Sequence, residues 1–328
     1  MLLRFFRSIG ARMLFFIPLL GILFWMHSIL QTPDIQHQFD VYPMPLYAFF
    51  VNLMPVHSIA GTILALTLVI LQSFLLVRLN TRFILINNRT YLPALFFVIL
   101  TACIPDVQRL NPALFSGFFL LLALEKVLES FHRNMLAHEI FMAALFLGAG
   151  AMFYPFMVLM MLSLWVALAI IRPFNWREWV FTILGFLTPV FFLFSFFYLV
   201  YSDPNKVFYS FRDAFVTQFN LRHPSMLSLI FIGFTLLMLL ISSQYMIRAY
   251  QTMKILPRKA FNIFLWVFLN CVGIYLVFKP ASHELIFIAA IPVSYLLSHY
   301  FARIRSMFWG NIFLLTLLVL IGLIQVLG

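Results

Sequence analysis

Between residues 31 and 55 the sequence reads QTPDIQHQFDVYPMPLYAFFVNLMP, and Asp34, His37 and Asp40 recur there at every third position with no Lys or Arg among them. The chain has only 10 acidic residues in 328, and two of them fall within seven positions here. A carboxylate whose pKa is raised by partial burial can take a proton from a hydroxyl group, and Asp34 and Asp40 are the candidate catalytic residues on that ground. A solvated acidic connection with no chemistry of its own would look the same. Pro33, Pro43, Pro45 and Pro55 alternate with Tyr42, Tyr47, Phe49 and Phe50, a pattern that predicts short helices lying at a polar–apolar interface. His37 stands alone as a metal-type ligand, and no Cys or His pair at ligand spacing occurs, so no metal is expected.

A second polar stretch, SDPNKVFYSFRDAFVTQFNLRHP at 202–224, gathers Asp203, Lys206, Arg212, Asp213, Arg222 and His223. Lys206, Arg212 and Arg222 could hold a phosphate group, because Lys and Arg supply charge-assisted donors that match its oxygens. Phe208, Phe211, Phe215 and Phe219 fall at helical spacing, which predicts an amphipathic interfacial helix and is compatible with the phosphate role. His283 and Glu284, beside Lys279, are expected with His37 and His223 on the rim of the same site. Phosphate-loop, dinucleotide, nucleophile-elbow and zinc-protease signatures are all missing, so no cofactor is expected.

The elements that must position these residues are apolar. Hydrophobic residues make up 64% of the chain, charged residues 9%, and mean hydropathy is +1.04. Too little polar surface exists to cover such a chain in water, so a bilayer is its solvent. The formal charge of +11 is spread as short punctuation between apolar segments. That spread excludes a nucleic-acid face and matches the enrichment of Lys and Arg in cytoplasmic loops. Arg4, Arg7 and Arg12 precede an apolar run at 13–26 without a cleavage motif, which predicts an uncleaved signal anchor with a cytoplasmic N-terminus. Polar segments are too short for a separate soluble domain, so residues 1–328 read as one transmembrane domain.

Apolar runs long enough to cross the hydrocarbon number about eleven, at 13–30, 56–77, 91–104, 111–128, 136–153, 156–171, 178–201, 225–247, 261–278, 284–301 and 307–327. The expected fold is all-α, a polytopic helical bundle with its C-terminus outside. Loop charges agree, leaving only Arg109, Lys206, Arg212, Arg222 and Lys279 on the extracytoplasmic side. The third and fourth runs are the weakest, because Pro105 and Asp106 interrupt a short segment, and a re-entrant hairpin over 91–128 satisfies the same parity. Gly148 to Ala151 make a small-residue helix end that lets another backbone come close. Glu125, Lys126, Glu129, Glu139 and Glu178 fall near cytoplasmic ends, where pairing or snorkelling removes the cost of burial. Cys103 and Cys271 read as small buried hydrophobes.

The segments PMPLY at 43–47, YLPALFFVIL at 91–100 and RPFNWREW at 172–179 resemble a family of Bacteroidota integral membrane proteins whose activity is not established. That resemblance implies a multi-pass protein of the bacterial inner membrane. In a looser way the order of a cytoplasmic N-terminus, one helix and then an acidic outer loop is similar to polytopic glycosyltransferases that use lipid-phosphate sugar donors. By that likeness Asp34 or Asp40 would activate an acceptor hydroxyl, Arg212 or Arg222 would hold the donor phosphate, and the partners would be membrane lipids and a polyprenyl-phosphate-linked substrate. The chain departs from those enzymes in having no adjacent acidic pair and no soluble outer domain. A non-enzymatic scaffold or assembly subunit with envelope protein partners is the alternative. A transporter is the third, against which the lack of an internal repeat and of mid-membrane charges counts.

Overall fold

The computed structural model describes residues 2–7, 12–30, 43–54, 56, 58–86, 90–132, 137–172, 174–201, 205–216, 224–278, 281, 283–304 and 306–327. Among them all regular structure is helical, with no strand. In chain order the helices are α1 (Leu2–Arg7), α2 (Arg12–Leu30), α3 (Pro45–Leu53), α4 (Ile59–Phe83), α5 (Leu92–Thr101), α6 (Pro112–Glu129) and α7 (Ala137–Ala151). They continue as α8 (Met160–Ile171), α9 (Trp176–Tyr201), α10 (Asn205–Val216), α11 (Met226–Ala249), α12 (Ile255–Val277), α13 (Leu285–Arg303) and α14 (Met307–Leu327).

Every apolar run read from the sequence holds a helix. Seven described helices, α2, α4, α9, α11, α12, α13 and α14, are long and apolar enough to cross a membrane. The remaining runs hold α5, α7 and α8, which are shorter, and α6, which carries Glu125, Lys126 and Glu129 in its last turns. The 10 residues of α5 rise only about 15 Å, half of the hydrocarbon thickness. All of them are buried, so α5 is enclosed by protein and the irregular backbone after it is tolerated. In that following turn Gln108 Nε2 donates to Ala102 O at 3.0 Å and Asn111 Nδ2 to Val107 O at 3.0 Å, which satisfies carbonyls left over by the helix end. Asn111 then caps α6 by accepting from the Leu114 N–H at 2.9 Å, with Pro112 in the first turn.

Side-chain contacts define two ends of the bundle. At the first, Arg7 Nε donates to Phe301 O at 2.9 Å, Thr90 bonds to Phe6 O, and Leu3 N donates to Asn311 Oδ1 at 2.9 Å. Arg82 joins Glu125 and Glu129, Arg172 bonds to Ser130 O, and Lys259 bonds to Ile171 O at the same end. Arg7, Arg172 and Lys259 thus satisfy terminal helix carbonyls, where the helix dipole favours a cation. At the second end α3 packs on the 105–111 turn and on the start of α6, while α10 packs on residues 156 and 278.

The core is organised around α13, which packs against α5, α6, α11 and α12 and is buried along almost its whole length. Tyr295 stacks flat on Phe264 with ring centroids 4.6 Å apart and donates its hydroxyl to Leu76 O at 2.6 Å. By contrast α9 lies at the periphery, held chiefly by α7. The seam between them is glycine-lined: a Cβ at Gly148 would run into Phe186 O, and one at Gly185 into Phe141 O. The small-residue end of α7 therefore does bring another backbone close.

Candidate functional site

The second end of the bundle holds a cavity of about 1120 Å³ walled by α3, the end of α7, α9 and α10. The chain builds it by folding α3 back onto the bundle. Pro45 opens that helix, Tyr47 is buried and donates to Leu110 O at 3.0 Å, and the Phe50 ring packs on Phe115 and Phe153 at centroid distances of 4.9 and 5.8 Å. This anchoring turns Pro43, Ala48, Phe49 and Asn52 toward the cavity. A short helix is thus present in the first polar loop, as α3.

The opposite wall is α10. Its Phe215 is wedged against Phe156 at 5.1 Å and Phe278 at 5.8 Å, and that contact fixes the rotation of the helix. Tyr209 and Asp213, four residues apart and so on one face, line the cavity, while Arg212 is exposed. Polar groups on an otherwise apolar and aromatic wall are then Asn52, Tyr209 and Asp213. A concave surface with a few convergent polar groups is the usual form of a small-molecule site. Asp213 can accept a hydrogen bond or a proton from a hydroxyl-bearing ligand.

A second cavity, of about 420 Å³, lies between α5, α11, α12 and α13 in the half of the bundle nearer the same end. Its lining is almost wholly apolar, including Cys103, Phe231, Phe268, Cys271 and Ala289. His283 and Pro224 stand among the lining residues from the helix ends. The only polar side chain in the depth of this wall is Thr235, whose hydroxyl is buried without a hydrogen-bond partner among the described residues. Both cysteines are free and buried, as their apolar surroundings suggested.

Of the residues singled out from sequence, Asp34, His37, Asp40, Arg222 and His223 lie outside the described residues. Lys206 is in the first turn of α10, Arg212 is on its exposed face, His283 lines the apolar cavity, and Glu284 is buried just before α13. The structure brings helices from both polar loops to one cavity. It also adds Asp213 and Tyr209, which sequence reasoning passed over although their spacing of four already set them on one helical face. Arg109 was assigned only to a loop, yet it is buried in the turn after α5 at this end. Burial lowers its guanidinium pKa, an effect that nearby Asp106 partly offsets.

No group of three or more His, Cys, Asp or Glu residues that could hold a metal occurs among the described residues. The fold and its apolar helices define a multi-pass helical membrane protein. The chain matches no family model, no curated protein and no solved structure.

Proposed function

We propose that this protein is a membrane-embedded transferase that moves a sugar from a lipid-phosphate carrier to a hydroxyl acceptor at the extracytoplasmic face of the bacterial inner membrane. Its eleven apolar segments all cross or re-enter the bilayer in this reading, with the N-terminus inside and the C-terminus outside. Segregation of Arg7, Arg82, Lys126, Arg172 and Lys259 at the first end supports that orientation.

One observation carries the proposal: Tyr209 and Asp213 of α10 line the mixed cavity, and Phe215 of the same helix packs on Phe278, just after α12, whose Tyr275 and Leu276 line the apolar groove. A lipid chain suits the apolar groove, and a polar acceptor suits the larger cavity. Lys206, Arg212 and Arg222 of the second polar loop are the proposed cations for the carrier phosphate. A carboxylate, Asp213 or one of Asp34 and Asp40, takes the proton from the acceptor hydroxyl. The freed oxygen attacks the sugar's anomeric carbon, the bond from that carbon to the phosphate oxygen breaks, and the polyprenyl phosphate leaves with both electrons.

The test is retention of a long-chain polyprenyl phosphate by the purified protein, followed by consumption of its sugar-linked form in proteoliposomes. Ala289→Trp, which fills the apolar groove, should abolish retention, whereas Asp213→Asn should retain the lipid and lose turnover. Failure of the wild-type chain to retain polyprenyl phosphate, or equal retention by Ala289→Trp, overturns the proposal.

A further inference from the structure

At the first end, far from the two cavities, a groove of about 510 Å³ opens between α2 and α4. It is lined by Leu14 from α2, by Phe74, Val77, Arg78, Thr81 and Arg82 from α4, and by Tyr91. The α4 residues follow helical spacing, so they form one face, apolar at its deeper turn and cationic at its last turn. Long-chain anions fit that gradient better than any soluble solute does.

Both guanidinium groups are held in place before any ligand arrives. Arg78 Nη2 lies 3.1 Å from Glu125 Oε1, Arg82 Nη1 meets the same oxygen, and Arg82 Nη2 lies 3.0 Å from Glu129 Oε1. The two glutamates are buried and Lys126 Nζ adds a contact of 3.0 Å to Glu129. Three cations therefore face two carboxylates, which leaves one positive charge in excess. That excess lies toward Arg78, whose side chain is 61% exposed and commits one of its five N–H donors. A guanidinium so oriented can bind phosphate oxygens with little further loss of side-chain entropy.

We infer that this groove is a binding site for one anionic phospholipid of the leaflet at the first end. The phosphodiester lies against Arg78 and Arg82, and an acyl chain runs down Val77, Phe74 and Leu14. Basic pockets between membrane helices recognise lipid headgroups in this way, and one cation near the surface is worth about fivefold in binding. The inference does not depend on the transferase reading.

Native mass spectrometry of the delipidated full chain, titrated with palmitoyl-oleoyl phosphatidylglycerol or with the matching phosphatidylcholine, tests it. The expected result is one tightly held phosphatidylglycerol, no comparable phosphatidylcholine, and at least about fivefold weaker binding in both Arg78→Ala and Arg78→Gln. Lys254→Ala, which removes an exposed cation outside the groove, should bind as wild type. Unaltered elution volume and melting temperature in detergent establish that the Arg78 variants are folded. Equal binding of both lipids, undiminished binding by folded Arg78 variants, or full displacement by equimolar inorganic phosphate overturns the inference.

Discussion

The phenolic hydroxyl of Tyr47 donates to the carbonyl oxygen of Leu110 across 3.0 Å, and this one bond ties α3 to the turn between α5 and α6. Tyr47→Phe removes the donor and leaves a buried carbonyl without its partner, at a cost of about 1 to 3 kcal/mol. The variant should melt earlier in detergent and be cut faster by protease within 43–54, with unchanged helical content. Wild-type protease resistance in Tyr47→Phe would show that the Phe50 contacts alone hold α3.

The α7–α9 seam allows no side chain at Gly148. A methyl group there meets backbone rather than a movable side chain, so Gly148→Ala should destabilise by about 1 to 3 kcal/mol through overpacking. Gly233 has open space around its Cβ position, and Gly233→Ala should be neutral or stabilising by about 0.5 to 1 kcal/mol. Thermal melts of the two variants, compared in one detergent, measure the contrast.

Glu125 is a buried carboxylate shared by two arginines, whereas Glu178 is half-buried and, among the described residues, meets only Asn175, at 3.5 Å. Glu125→Gln strands part of the Arg82 charge, and a loss of about 1 to 3 kcal/mol is expected once the partial exposure of Arg82 is allowed for. Glu178→Gln should change stability by less than about 0.5 kcal/mol. Chemical denaturation followed by tryptophan fluorescence would separate the two.

The proposed orientation rests on the charge partition between the ends. Alkaline phosphatase fused after Leu53 or Val216 should be active, and green fluorescent protein fused after Phe83 or Arg303 should fluoresce. Active phosphatase at Phe83 would reverse the bundle and, with it, the side on which the proposed transferase works.

Membrane residence and the positions of the helices were legible in the chain itself, because apolar run length reports directly on hydrocarbon thickness and interrupting charges mark where runs end. The amphipathic character of α10 was equally legible from its phenylalanine spacing. Which residues meet was not. Glu129 pairs locally with Lys126, but both Glu125 and Glu129 also meet Arg82, 43 and 47 positions away, because α4 and α6 bring their ends together. In the same way α10 is seated by Phe215 against Phe156 and Phe278, and in that seating Asp213 lines the cavity while Arg212 is exposed. Hydropathy is a local property that a sequence states residue by residue. Cavities arise from helix packing between distant segments: the small-residue end of α7 was legible locally, but which backbone it meets and which aromatic rings touch are set by packing alone.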